Sequence, residues 1–214
     1  MTKQQTLKKI TAKAQLEFSD LKAIIFWGSG VTRDWDPKTS DLDLLLVVEK
    51  IDNKLVNKIN KLVKKFTSID LDILFIEEKK LSNKNLFGYG REDKYPYHKL
   101  DQYNLKYKSW VIFGDKKIID KIQPVTFEEA MLDILPYVIR KTRSIQRDLD
   151  SLGPNKKNLK KYIQENISHL QLIMRTVYNV EKGRLVSKSR ALDYWLKNYC
   201  QDKEVSSYIK KICK

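Results

Sequence analysis

Trp27-Gly28-Ser29, followed after a short loop by Ser40-Asp41-Leu42-Asp43, combines a glycine-serine turn with two closely spaced carboxylates. Apolar residues run from Ala23 into the turn, and Leu44 to Val48 follow the second carboxylate. This reads as strand, tight turn, irregular segment, strand. Side chains alternate across a strand, so Asp41 and Asp43 are expected on one face. Two carboxylates sharing a face repel unless a cation lies between them. Mg²⁺ suits such a pair, because it takes oxygen ligands and bridges protein carboxylates to phosphates. A glycine lets backbone approach a phosphate closely, and the N–H groups beside it, with the Ser29 hydroxyl, are donors for one.

A second acidic pair follows. Ser68–Ile76 reads as another strand, with Asp70 and Asp72 on one face and Ile69, Leu71 and Ile73 around them. Two carboxylate pairs on consecutive strands make a stronger active-site pattern than either alone. The competing reading is that these aspartates cap strand edges or satisfy loop backbone.

Phe26-Trp27-Gly28-Ser29 and Ser40-Asp41-Leu42-Asp43-Leu44 resemble the signature of the DNA polymerase beta-like nucleotidyltransferase superfamily. The resemblance implies that Gly28 and Ser29 hold the β- and γ-phosphates and that Asp41 and Asp43 bind divalent metal. It further implies that a carboxylate on the next strand completes the catalytic and metal set. Asp72 matches that position better than Asp70, since Ile73–Ile76 then supplies the usual apolar run. Arg33 stands where many members have glycine and either leans toward phosphate or faces solvent. With Ser40 it completes the nucleotide-binding candidates.

The second half is similar to the C-terminal helical domain of aminoglycoside adenylyltransferases of the streptomycin/spectinomycin type. The similarity rests on Ile173-Met174-Arg175-Thr176-Val177-Tyr178, Glu181–Lys188, Ala191 and Trp195. Val111-Ile112-Phe113-Gly114 resembles a segment that often joins the two domains there. The resemblance implies an α+β protein, with a small mixed-sheet catalytic domain at 1–122 and an α-helical bundle at 123–214. It implies Mg²⁺ as cofactor and ATP as co-substrate, with AMP moved to a hydroxyl of a small, antibiotic-like acceptor. Those enzymes also use a glutamate after the third strand as general base. Glu77, Glu78 and Glu92 are near it in sequence, but none matches the local motif. Transfer to RNA or protein, or nucleotide binding without turnover, are the alternatives.

Composition bounds these readings. The 214-residue chain is 42% apolar, enough for one sizeable core or two small ones. It has no apolar span of membrane length and no signal-peptide pattern at its start, so a cytoplasmic protein is expected. Cys200 and Cys213 suggest neither a zinc set nor a disulfide framework, though a single disulfide stays open. Net charge is +15, with 34 lysines among 42 basic residues. Residues 151–214 hold 14 basic and five acidic side chains. Such a field attracts triphosphates and keeps RNA as a possible partner, yet no RNA-binding motif accompanies it.

Periodicity supplies the remaining elements. Leu7, Ile10, Ala14 and Phe18 predict a first helix packed on the sheet, and Leu55, Ile59, Leu62 and Phe66 predict another between the second and third strands. Residues 77–108 read as a tyrosine-rich insertion containing His98, whose tyrosines either pack a loop or border a pocket. Thr126 with Glu129 predicts a helix start, with Ala130, Leu132, Leu135, Ile139 and Ile145 on its apolar face and Pro136 as a possible kink. Residues 151–155 read as a break. One long stripe is then expected from Leu159 to Val177, ended by Gly183, with Ser187 capping the next helix and Trp195 in the core.

Overall fold

The computed structural model describes residues 2–32, 35, 41–51, 57–58, 71–84, 86–89, 94–96, 98–152, 156–200 and 203–212. Arg33, Ser40, Asp70, Glu92, Cys213 and nearly all of the helix expected between the second and third strands lie outside them. The chain divides into two compact units, Met1–Thr126 and Phe127–Lys214. The architecture is α+β: a mixed sheet with helices, followed by a helical region.

In the first unit, helix α1 (Lys3–Glu17) precedes strands β1 (Leu21–Trp27), β2 (Leu42–Val48) and β3 (Leu71–Glu77). Short strands β4 (Phe87–Tyr89) and β5 (Lys94–Pro96), helix α2 (Lys99–Tyr107) and strand β6 (Trp110–Gly114) follow. The sheet order is β5-β4-β3-β2-β1-β6. Among the described residues only the β2–β3 pair is parallel; the other neighbours run antiparallel.

The central strands read as almost continuous apolar runs because both of their faces are covered. On one face Ile24, Phe26, Leu44, Leu46, Ile73 and Phe75 pack against Ile10, Ala14 and Phe18. On the other, Ala23, Ile25, Leu45, Val47, Leu74 and Ile76 meet Leu81, Leu86, Leu105, Ile118 and Ile122. Strand parity puts Asp43 and Asp72 on this second face, at the end of its apolar rows.

Two expectations change here. The stretch 77–108 is not a structureless insertion: it contributes β4, β5 and α2, whose short strands carry too few alternating residues for a sequence signal. Gln102 and Leu105 of α2 are buried, and the Tyr103 and Tyr107 rings meet in a tilted contact with centroids 4.9 Å apart. Val111–Gly114 is not a joining segment either. It lies within β6, the edge strand paired with β1.

The second unit contains α3 (Phe127–Leu152), α4 (Lys156–Glu165), α5 (Ile167–Lys182), α6 (Lys188–Asn198) and α7 (Lys203–Ile212). Helix α3 starts directly after Thr126 and continues through Pro136. Its buried row is Ala130, Met131, Ile134, Val138 and Ile145, whereas Leu132 and Ile139 are 70% and 47% exposed. The expected long helix is two, separated at Asn166. Apolar spacing persists across a single-residue break, which hides it from periodicity. Gly183 takes φ +62°, the left-handed geometry of a helix C-cap. Ser187 Oγ accepts the Arg190 N–H at 3.3 Å and caps α6, as its position predicts. Met174, Tyr178, Val186, Ala191, Leu192, Leu196 and Ile209 form the core, with Trp195 and Cys200 packed against it. Glu181 accepts hydrogen bonds from Tyr194 and Tyr199 and ties α5 to α6 and its C-cap.

Candidate active site

β1 ends at Trp27, which pairs with Asp43 of β2, and Asp43 in turn pairs with Asp72 of β3. The turn Gly28–Val31 therefore leaves the sheet beside two acidic strand positions. Gly28 has φ +69°, a left-handed conformation that glycine adopts without strain. A Cβ on it would lie 1.9 Å from Asp43 Oδ2. Only a residue without a side chain lets this turn and that carboxylate occupy their positions. The Ser29 N–H donates to the Asp43 carboxylate. The Ser29 Oγ is buried and has no hydrogen-bond partner among the described residues. A buried hydroxyl left in that state costs about 1–3 kcal/mol, which a phosphate oxygen would recover.

Asp43 is the electrostatic centre of the site. Its carboxyl is pushed up to about 7, mainly by burial, then by the negative charges of Asp41 and Asp72. The Ser29 N–H opposes the rise, and Asp101 adds to it. Asp41 is exposed just before β2 and its carbonyl accepts the Trp35 indole N–H at 3.2 Å. Asp72 is exposed on β3. Asp101, in the first turn of α2, accepts the His98 N–H at 3.2 Å, and α2 packs near the Gly28 turn. Sequence reasoning passed over Asp101 because its helix was not expected. The available signal was His98-x-x-Asp101, the spacing of a helix N-terminus. His98 stands at that N-terminus.

The remaining candidates sort by position. Glu77 closes β3 five residues beyond Asp72, roughly 16 Å along the strand. It is buried, accepts the Ile51 N–H at 3.2 Å and pairs with Lys80 at 2.8 Å. Those donors hold its carboxyl below the usual range, so it anchors the far end of the sheet. Glu78 pairs with Lys121.

Among the described residues, no three His, Cys, Asp or Glu side chains are gathered as a metal-binding group. The donor chemistry nonetheless fits Mg²⁺. The acidic groups acting on one another are all oxygen donors, and the one at their centre is destabilised in its charged form by burial and by its neighbours. A cation relieves both effects.

No family model matches the chain, and no curated protein matches it by sequence. Among solved structures it is similar to the crystal structure of a spectinomycin adenyltransferase, AAD(9), from Enterococcus faecialis with ATP and spectinomycin. The TM-score is 0.68 at 17% identity, over 99% of this chain and 89% of that one. The fold is nucleotidyltransferase-like. At that identity the likeness is one of architecture, and it spans both units. No helix among the described residues is long and apolar enough to cross a membrane.

Proposed function

We propose that the protein is a Mg²⁺-dependent nucleotidyltransferase that moves AMP from ATP to a hydroxyl of a small acceptor of the antibiotic type. The observation that carries this reading is the contact between the positive-φ Gly28 turn and the half-buried Asp43 carboxylate, with Asp72 in register beside it. A glycine-serine turn wedged against a carboxylate serves little structural purpose, since it forces a charge into a partly desolvated place. It does serve a ligand with phosphates on one side and a cation on the other. The similar solved structure is of an adenyltransferase with ATP and spectinomycin, which supports the choice of nucleotide and acceptor class.

In this reading Asp41, Asp43 and Asp72 would hold Mg²⁺, which when bound supplies positive charge against the phosphates and acidifies the acceptor hydroxyl. The Gly28 turn lets the nucleotide's outer phosphates approach the backbone, and Ser29 Oγ donates to one of their oxygens. Arg33 and Ser40 stay nucleotide-binding candidates by their sequence positions alone. The acceptor oxygen bonds to the α-phosphorus, the bond to the β-phosphate oxygen breaks, and pyrophosphate leaves. The hydroxyl proton passes to water or to an exposed carboxylate, Asp41 or Asp72. The first unit, Met1–Thr126, carries this chemistry.

The test is incubation of the purified protein with Mg²⁺, each labelled nucleoside triphosphate, and a panel of aminoglycosides, other hydroxylated antibiotics and RNAs. Label on one small molecule with equimolar pyrophosphate is expected. Label on RNA or on protein alone would reassign the acceptor. Nucleotide binding without pyrophosphate release would reassign the protein as a binder.

A further inference from the structure

Lys3 is the first residue of α1, and a cation in the first turn of a helix opposes the helix dipole. The start of this helix is nevertheless held firmly. The Gln5 N–H donates to Thr2 Oγ1 at 3.2 Å, the Thr2 N–H donates to Gln5 Oε1 at 2.9 Å, and the Thr6 hydroxyl donates to the Thr2 carbonyl at 3.0 Å. Ile10, Ala14 and Phe18 then lock α1 to the sheet. From that fixed base the Lys3 Nζ donates to the Gly30 carbonyl at 2.7 Å, inside the Gly28–Val31 turn. The same ammonium lies 5.4 Å from the centroid of the Trp35 ring. Trp35 passes the connection on, since its indole N–H donates to the Asp41 carbonyl at 3.2 Å. On the other side of the turn, the Thr32 hydroxyl donates to the Ser29 carbonyl at 2.8 Å.

We propose that Lys3 and Trp35 form a latch that sets the spacing between the phosphate-facing turn and Asp41, and are positioning residues for nucleotide binding. The proposal rests on the nucleotidyl-transfer reading of the site. One ammonium serves both structural parts of that site: it donates to the backbone of the glycine-serine turn and holds the ring that donates to the backbone of an acidic residue. Its placement against the helix dipole is the local conflict expected where a residue is retained for a site rather than for its own element. Loss of the ammonium removes a charge-assisted hydrogen bond and a cation–π contact together, so the turn and Asp41 lose their common reference.

The experiment compares the parent with Lys3→Met, Lys3→Arg and Trp35→Phe in Mg²⁺–ATP titrations and in steady-state transfer, after matching folded fractions by thermal unfolding. Lys3→Met is expected to raise the Mg²⁺–ATP concentration for half-saturation by about tenfold, the scale of one charge-assisted hydrogen bond, while turnover at saturation changes by less than about threefold. Trp35→Phe keeps the ring, loses the N–H and falls between. Lys3→Arg restores most of the affinity, since a guanidinium both donates and stacks. Half-saturation unchanged in Lys3→Met and Trp35→Phe overturns the latch. If the parent itself fails to bind Mg²⁺–ATP, the proposed function fails, and Trp35 emission decides the latch. That emission is taken as the difference between the parent and Trp35→Phe, then repeated in the Lys3→Met background. A shift on removing Lys3 supports the latch, and an unchanged difference spectrum overturns it.

Discussion

Replacing Asp43 by Asn should make the metal-free protein more stable in alkaline buffer while abolishing transfer. The Asp43 carboxyl titrates near 7 in the folded chain because burial, Asp41 and Asp72 all disfavour its charge. Its reference value is 3.8. Between these values the unfolded chain has released the proton and the folded chain still holds it, so stability falls as pH rises. The favourable contribution is fully present below about 4 and is lost once the pH has passed through about 7. A shift of about three units corresponds to about 4 kcal/mol as a ceiling, at 1.36 kcal/mol per unit. Asparagine is neutral throughout and keeps an oxygen for the Ser29 N–H, so it avoids the loss. The difference between variant and parent should be near zero at pH 4. It should grow to at most about 4 kcal/mol at pH 8.5, a shift in melting temperature on the order of 10 °C for a unit of this size. The assay is thermal unfolding in EDTA across that range, repeated with Mg²⁺ and ATP. Ligand should stabilise the parent and leave the variant where it was. A variant no more stable than the parent at pH 8.5, or a difference that ignores pH, would refute the argument that the surroundings of Asp43 disfavour its charge.

Gly28→Ala should lose transfer and several degrees of melting temperature. The added Cβ meets Asp43 Oδ2 at 1.9 Å, and the left-handed backbone alone costs about 1–2 kcal/mol. Parent-like unfolding would show that the turn does not press on Asp43. Asp72→Asn should reduce label transfer by at least about a hundredfold, the scale of removing a group that stabilises transition-state charge, and Asp70→Asn by much less. The opposite ranking would make Asp70, rather than Asp72, the third carboxylate of the site. Glu77→Gln should leave transfer per folded molecule unchanged while costing roughly 1–2 kcal/mol, because a charge-assisted bond to Lys80 weakens far from the site. Its carboxyl lies below its usual range, so the parent's advantage should be present above about pH 4.5 and fade as pH falls through the lowered value. Urea unfolding at pH 7 and pH 3.5 measures both.

Much of the site was legible because it depends on short-range rules. A strand running into Gly28-Ser29 and the two-residue spacing of Asp41 and Asp43 follow from alternation and turn chemistry, which act over a few residues. The end of α5 at Gly183 and the cap at Ser187 are equally local. The errors arose where local signal is weak or tertiary packing overrides it. β4 and β5 have three residues each, and Leu132 faces solvent because the helix turns the row at Met131, Ile134 and Val138 inward instead. Glu77 matched no general-base motif in the sequence, and the extended strand indeed carries it to the end of β3 away from Asp72.

The sequence by itself determined which residues are candidates for the proposed chemistry, through the spacing of glycine, serine and aspartate around two strands. The tertiary structure alone decided how they act on one another. Parallel pairing sets Asp72 beside Asp43, burial and like charge raise the Asp43 carboxyl, and the fold brings Asp101 and Lys3 to the site from distant segments. Strand register, desolvation and long-range contact depend on the whole packed chain. No window of sequence contains them.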